Sequence, residues 1–184
     1  RRKAPHIEWQ QGTVDDLPFD DASFDAVVSQ FALMFFEDRP HAVQEMMRVL
    51  KPGGYLAIAV WDSLENTPGY AAMVELLKRL FDDATANKLR APYILGDASK
   101  LRQIMADAGV GDAHIKSYPG VARFPSIDSW MFTEIKGWVL ADLLDDDQYE
   151  ALLKEAKQAL KSFVIADGSV EFSTPAFIIS VRKP

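Results

Sequence analysis

The chain has 184 residues, of which 48% are hydrophobic, and carries a net charge of −7. This length suits one globular domain, no apolar run approaches the roughly 20 residues of a membrane helix, and the acidity disfavours nucleic acid and anionic membranes as partners. The absence of cysteine excludes disulfides and thiol chemistry, and three scattered histidines lack metal-ligand spacing, so no metal site is predicted and a cytoplasmic location is expected.

The first third of the chain predicts alternating strands and connections. Residues 6–12 have strand composition and end in a glycine. Residues 13–23 are acidic, contain Pro18 and show no clear period, which predicts a loop. A Val-rich strand is predicted over 24–30.

A helix is predicted from about Pro40 to Leu50, with Asp38 as its N-cap. Its apolar residues recur at steps of three and four, which indicates one buried face. Gly53 and Gly54 are expected to end this helix through positive φ angles, and residues 55–61 form a nearly continuous apolar strand. The connection is too long for a hairpin, so these strands are expected to be parallel.

The second half mixes helices with two strand regions. Ser126 and either Asp97 or Ser99 are candidate N-caps, and Gly109 is a candidate helix stop. The strand pattern of 112–124 is interrupted by Pro119 and Gly120. Helices are predicted over 68–81, 97–109, 126–138 and 146–163, and a closing strand over 176–183.

Several well-known nucleotide and hydrolase motifs are absent from the sequence. Residues 109–114 begin a G-x-G-x-x-G pattern but lack its third glycine, and they follow a helix. No P-loop and no G-x-S-x-G nucleophile elbow occurs. The sequence therefore gives no indication of a nucleotide triphosphatase or a serine hydrolase.

Two adjacent segments carry a family resemblance: GTVDDLPFDDASFDAVVSQFALMFFED and MMRVLKPGGYLAIAVWD. Their loop, S-F-D strand and R-V-L-K-P-G-G turn closely resemble the class I S-adenosylmethionine-dependent methyltransferases of the small-molecule type, over residues 7 to 62. The resemblance implies a Rossmann-like, doubly wound, mostly parallel α/β sheet with a helical insertion before the last strand. It also implies methyl transfer from S-adenosylmethionine to a small-molecule acceptor.

The resemblance further implies that the family's first strand and its Gly-rich cofactor loop do not lie within these 184 residues. We therefore expect a single methyltransferase-like domain over 1–184 that is truncated at its N-terminus, with residues 125–168 as a helical cap. Such a fragment is expected to be inactive by itself and to bind the cofactor weakly. Its open sheet edge predicts a homodimer through edge pairing.

Site residues follow from the resemblance by position. Thr13, Val14 and Asp15 lie where the family holds the adenine, although Thr13 replaces the family's Asp. Gln30 and Phe31 end the strand that faces the sulfonium, and Gln30 and Trp61 are candidates for substrate contact. No general base is indicated.

Each of these assignments has a simpler alternative. Residues 13–16 could be an ordinary acidic turn, Gln30 a solvated strand end and Phe31 a core residue. Trp61 could pack under the following helix. Core packing is the favoured role of Trp130, Trp138 and Tyr149. For the chain as a whole, the alternative function is a non-catalytic α/β binding or assembly module.

Overall fold

The structure, a computed structural model, describes residues 6–138 and 140–184. Helices and strands alternate up to Trp61, and later helices and strands come in groups. The strands of the described part are β1 (Phe24–Gln30), β2 (Leu50–Trp61), β3 (His114–Tyr118), β4 (Val121–Phe124), β5 (Val170–Ser173) and β6 (Ala176–Arg182). The α-helices of the same part are α1 (Arg39–Val49), α2 (Pro68–Leu80), α3 (Asp83–Arg90), α4 (Ala98–Asp107), α5 (Ile127–Met131) and α6 (Asp146–Ala159).

Four of the strands form one sheet in the order β1-β2-β6-β3, and β4 pairs with β5 in a second, antiparallel sheet. β1 and β2 are parallel, with Val27 beside Leu56 and Gln30 beside Ala59. The prediction of parallel strands joined by a crossover helix is therefore confirmed. The α/β class and the mostly parallel sheet are confirmed with it.

Helix α1 begins as its sequence predicts. The Asp38 side chain accepts a hydrogen bond from the backbone N–H of His41 at 2.9 Å, and Pro40 lies in the first turn. A proline is harmless there because its missing N–H would have no partner inside the helix. Ala42, Val43 and Met46 are buried on one face of α1.

Helix α1 ends within one residue of its predicted end, but the prediction that Gly53 and Gly54 terminate it is wrong. α1 stops at Val49, and Leu50 is already extended, so β2 starts well before the glycines. The Nζ of Lys183 lies 2.7 Å from the carbonyl oxygens of Met47 and Leu50, so a side chain from the far end of the sequence occupies the helix terminus. Gly53 does take a positive φ of 78°, but within β2.

Four further differences from the predicted elements are found. Residues 6–12 form no strand, and the large side chains of Ile7 and Trp9 are 47% and 58% exposed. A strand requires a hydrogen-bonded neighbour, and none lies beside this segment among the described residues. The short helix α3 and the strand β5 were not predicted. The helix predicted over 126–138 divides into α5, which ends at Met131, and a π-helical turn that ends at Lys136. The other helices and strands occur within a few residues of their predicted bounds.

The chain divides into two compact units. Unit 1 contains Arg1–Ala59, Ser99–Ile115 and Ile179–Pro184, and unit 2 contains Val60–Ala98 and Lys116–Ile178. Residues 125–168 belong to unit 2, and their role as a cap stays a prediction. No helix of the described residues is long and apolar enough to cross a membrane.

Unit 2 is organised around an aromatic core. Trp130 is fully buried, as expected, and its ring lies 4.6 Å from that of Phe172 and 5.7 Å from that of Phe124, centroid to centroid. Helix α6 packs its apolar face against the same core, including Leu152. Trp138 departs from the expected core packing, because 40% of its side chain is exposed.

Candidate functional site

The loop that was predicted to hold the adenine lies on the surface of unit 1. Thr13 and Asp15 are exposed, Val14 is half-buried, and Thr13 forms an isolated bridge with Asp16. The backbone carbonyl of Asp15 accepts a hydrogen bond from Nε2 of His41 at 2.9 Å, which raises the pKa of His41. The loop is therefore a defined turn whose polar side chains face solvent.

Two charged side chains of α1 anchor this loop. Glu45 accepts hydrogen bonds from the Leu17 backbone N–H at 3.0 Å and from Nη2 of Arg48 at 2.9 Å. Arg48 also donates to the carbonyl oxygens of Phe19, at 2.8 Å, and Leu17, at 3.0 Å. Sequence reasoning missed this anchor, although the two residues have the i,i+3 spacing of a helical ion pair.

The anchor predicts an acid-sensitive step in stability. Hydrogen bonds from Arg48 lower the pKa of Glu45 from about 4.5 to about 2. Because the pKa is lower in the folded chain, the stabilisation is complete above pH 4.5 and is lost as the pH falls toward 2. We expect Glu45→Gln to remove about 1 kcal/mol of this pH dependence, since the partner Arg48 is partly exposed and solvent screens the ion pair.

Urea unfolding at a series of pH values between 2 and 7 measures this difference. Glu37→Gln is the matched control, because Glu37 is an exposed acid of the same unit. Parallel curves for the Glu45→Gln variant and the unaltered chain would contradict the proposed role of the anchor.

The end of β1 carries the next pair of predicted residues. Gln30 is exposed and lies beside Ala59 in the parallel ladder. Phe31 follows with a φ of +53°, and its backbone N–H donates to the carbonyl of Ala59 at 2.9 Å. Left-handed backbone is uncommon for a bulky residue and concentrates at functional turns. The contacts of both side chains with a cofactor stay predictions.

Trp61, at the end of β2, lines a cavity of unit 2 with a volume of about 310 Å³. Glu134 supplies a carboxylate to this cavity, and the sequence analysis did not identify it. The other residues that line the cavity are Tyr70, Pro92, Tyr93, Thr133, Gly137 and Trp138. Three aromatic residues, Tyr70, Tyr93 and Trp138, therefore line the cavity together with Trp61, and contact of Trp61 with a substrate stays a prediction.

Glu134 lies in an irregular stretch of helix. Residues Phe132–Lys136 form a π-helical turn directly after α5, a rare feature that often marks functional sites. Gly137 ends this turn where a Cβ atom would lie only 2.5 Å from the carbonyl oxygen of Thr133. Trp130, Glu134 and Trp138 are spaced by four residues, which places them on one face of a helix. This spacing is the sequence signal from which Glu134 could have been identified.

The hydroxyl of Tyr70 donates to Oε1 of Glu134 at 2.8 Å. Burial raises the pKa of Glu134, and it also raises the pKa of both Tyr70 and Tyr93 well above their usual values. The rings of Tyr70 and Tyr93 lie 5.6 Å apart. The cavity thus combines aromatic walls with one poorly solvated carboxyl group.

The chain after Trp61 is held by a buried acid. Asp62 is 4% exposed, and its Oδ1 accepts hydrogen bonds from the Ser63 N–H at 2.6 Å and from Asn66 at 2.9 Å. Its Oδ2 accepts from the Ser117 hydroxyl at 2.8 Å. Two of these hydrogen bonds lie within the local turn and the third links the turn to β3, so Asp62 has a structural role.

No group of three or more His, Cys, Asp or Glu residues within 6–138 and 140–184 is arranged to hold a metal ion. The hydrogen-bonding groups of unit 1 are of the types that bind a nucleoside: an exposed carboxylate at Asp15, a hydroxyl at Thr13 and an amide at Gln30. These residues fit part of S-adenosylmethionine by chemical type. A glycine-rich loop for its methionine end is absent from the sequence.

Comparison with known proteins agrees with the motifs. Residues 1–58 match the family described as Methyltransferase domain. A demethylmenaquinone methyltransferase from Renibacterium salmoninarum is 31% identical over 130 residues, which is 65% of this chain and 55% of that protein. The chloroplastic 2-phytyl-1,4-beta-naphthoquinone methyltransferase of Arabidopsis thaliana is 52% identical over 52 residues, 28% of this chain and 20% of that protein.

The fold has solved counterparts as well. A candidate methyltransferase of an antibiotic biosynthesis pathway from Anabaena variabilis superposes with a TM-score of 0.65 at 14% identity, over 96% of this chain and 74% of that one. The chain spans about half the length of the demethylmenaquinone methyltransferase that it matches. These comparisons confirm the resemblance that residues 7–62 indicated.

Proposed function

We propose, from the confirmed resemblance to class I S-adenosylmethionine-dependent methyltransferases, that this chain is part of an enzyme that methylates a small-molecule acceptor. The match of residues 1–58 to a methyltransferase family carries the proposal. The parallel pairing of β1 with β2 supports it. The cofactor supplies an electrophilic methyl group, so the protein has to add positioning and a dry, shaped pocket.

The proposed cofactor contacts lie in unit 1. Asp15 and Thr13 are exposed polar residues in an anchored turn, and Gln30 is an exposed amide at the end of β1. We propose that the Thr13–Asp15 turn, including the backbone of Val14, receives the adenine. Gln30 and Phe31 would then lie on the side of the sulfonium. Without a glycine-rich loop, the 184-residue chain is expected to bind the cofactor weakly or not at all.

The proposed acceptor contacts begin with Trp61 in unit 2, and Gln30 remains a second candidate. The names of the relatives concern demethylmenaquinone and a naphthoquinone, but the chain covers only 55% and 20% of those proteins. The proposal therefore extends to a small-molecule acceptor and not to a quinone. A non-catalytic binding or assembly module is the alternative outcome.

Two further predictions concern the oligomeric state of the protein and its location and partners. β1 is the first strand in the sheet order, and its Val28 side chain is 73% exposed. Pairing of two β1 edges in a homodimer is therefore part of the proposal, and a sedimentation experiment that finds only monomers would contradict it. A cytoplasmic location and the absence of nucleic-acid and membrane partners also stay predictions.

Calorimetric titration with S-adenosylmethionine tests the proposed function. We expect saturable binding by the full-length product of the gene and little heat from the 184-residue chain. Gln30→Ala should weaken binding about tenfold, the effect of losing about one good hydrogen bond. The control is Gln158→Ala, which alters an exposed glutamine of α6.

A full-length product without any heat of binding would overturn the enzyme proposal in favour of the non-catalytic module. Micromolar binding by the 184-residue chain would contradict the expected weakness of the fragment. Equal affinities of the Gln30→Ala and Gln158→Ala variants would remove Gln30 from the proposed cofactor site.

A further inference from the structure

The cavity of unit 2 contains a carboxylate that no cation neutralises among the described residues. Glu134 receives its hydrogen bond from the Tyr70 hydroxyl at 2.8 Å. Lys136, the basic residue on the same turn, is engaged elsewhere, because its Nζ lies 2.7 Å from Asp146 and over the ring of Tyr149. Glu134 is half-buried, and a carboxylate that is partly removed from water without a cationic partner is costly.

The surroundings of this carboxylate are aromatic. Trp61, Tyr70, Tyr93 and Trp138 all line the cavity, and the Tyr70 and Tyr93 rings are 5.6 Å apart. Aromatic faces attract cations through the ring quadrupole, and several rings around one site are the typical receptor for an ammonium group. The walls and the carboxylate therefore favour the same kind of ligand.

The size of the cavity limits that ligand. Its volume of about 310 Å³ is at the lower end of the range for small-molecule sites, which is roughly 300–1,000 Å³. A compound of few heavy atoms would fill it, and so would the charged end of a longer compound. The partial exposure of Trp138 leaves one wall open to solvent.

We propose that this cavity binds the ammonium group of a small cationic compound, with Glu134 as the counter-charge and the four aromatic side chains as its walls. That the compound is the methyl acceptor rests on the proposed function; the binding of the ammonium group does not. The ammonium group serves as the recognition element, whichever atom of the compound is methylated.

The competing occupant is a neutral hydroxyl compound, such as a phenol, hydrogen-bonded to a protonated Glu134. The two occupants respond to pH in opposite directions. Ammonium binding needs the ionised carboxylate and should weaken as the pH falls through the raised pKa of Glu134. Tyr70 and Tyr93 face the same space and stay protonated over that range, because burial raises both pKa values.

Titration of the 184-residue chain with tetramethylammonium chloride tests the inference, with sodium chloride holding the ionic strength constant. Chemical shifts of the indole N–H groups of Trp61 and Trp138 report binding at the cavity. We expect saturable shifts with tetramethylammonium and at least about tenfold weaker binding of tert-butanol, its neutral counterpart in shape. Equal binding of the two probes would overturn the proposal.

Two substitutions locate the effect. Glu134→Gln keeps an acceptor for the Tyr70 hydroxyl but removes the charge, and it should weaken tetramethylammonium binding about tenfold. Glu65→Gln is the matched control, because Glu65 is an exposed acid of the same unit outside the cavity. If Glu134→Gln does not fold, Trp138→Leu replaces an exposed wall and should weaken binding while the melting temperature stays unchanged.

The outcomes separate this inference from the proposed function. A chain that binds S-adenosylmethionine in its full-length form but shows no saturable tetramethylammonium binding would contradict the inference alone. Tetramethylammonium binding without any cofactor binding would contradict the methyltransferase proposal and leave the ammonium site standing. Unchanged binding in both Glu134→Gln and Trp138→Leu would place the cation elsewhere and overturn the inference.

Discussion

Replacement of Trp130 by alanine is expected to lower the free energy of unfolding by about 4 kcal/mol, as for other buried aromatic residues. The side chain is fully buried and contacts the rings of Phe124, Phe172, Tyr70 and Phe163, with centroids 4.6 to 6.2 Å away. Its loss would leave a cavity that these rings cannot fill without leaving their packed positions. Urea unfolding followed by far-ultraviolet circular dichroism measures the change.

The indole nitrogen provides an internal check on this prediction. The buried Nε1–H of Trp130 has no hydrogen-bond acceptor among the described residues, so it contributes no favourable interaction. Trp130→Phe removes this donor and keeps most of the ring, and it should cost only about 1 kcal/mol. Trp9→Ala is the surface control, because Trp9 is 58% exposed and should change stability by less than about 0.5 kcal/mol. Similar losses in all three variants would contradict the central role of Trp130.

Local sequence signals were sufficient for most helices and for the first parallel pair. Three such signals act over a few residues each: the Asp38 cap, the spacing of Val43 and Met46, and the apolar composition of β2. The structure contains the cap, the buried face and the strand that they predict. Residues 6–12 show the limit of such signals, because composition alone cannot supply the neighbouring strand that a ladder needs. The end of α1 shows the same limit, because Lys183, which hydrogen-bonds to the carbonyl of Met47 there, comes from the opposite end of the chain.

The candidate sites were less predictable than the fold. Thr13, Asp15 and Gln30 could be named because a family resemblance assigns a role to their positions. The Glu134 cavity has no such motif, because it is built from separate segments that contribute Trp61, Tyr70, Tyr93 and the π-helical turn. Only folding brings these segments together, so a single sequence gives the aromatic spacing around Glu134 but not the cavity.

Replacement of Gly96 by alanine is expected to destabilise the chain by about 3 kcal/mol, because the backbone of another segment occupies the space of the new methyl group. A Cβ atom at Gly96 would lie 2.3 Å from both the Cα and the N of Ser63 and 2.6 Å from the carbonyl carbon of Asp62. Such overlap with backbone cannot be relieved by a rotamer change, and overpacking typically costs 1–3 kcal/mol or more. Moving Ser63 would also disturb the Asp62 hydrogen bonds to Asn66 and Ser117.

Gly111→Ala is the matched control for this effect. Nothing lies within 4 Å of a Cβ atom at Gly111, and its φ angle is not positive, so alanine fits there without strain. Alanine also reduces the conformational freedom of the unfolded chain, and Gly111→Ala should therefore be neutral or stabilising by up to about 1 kcal/mol.

Urea unfolding of both variants compares the two sites, and titration of Gly96→Ala with tetramethylammonium measures whether the cavity still binds its ligand. Because Ser63 and Asp62 directly follow Trp61, a displaced turn should also weaken binding in the cavity; a destabilised variant with unchanged affinity would show that the turn does not position Trp61.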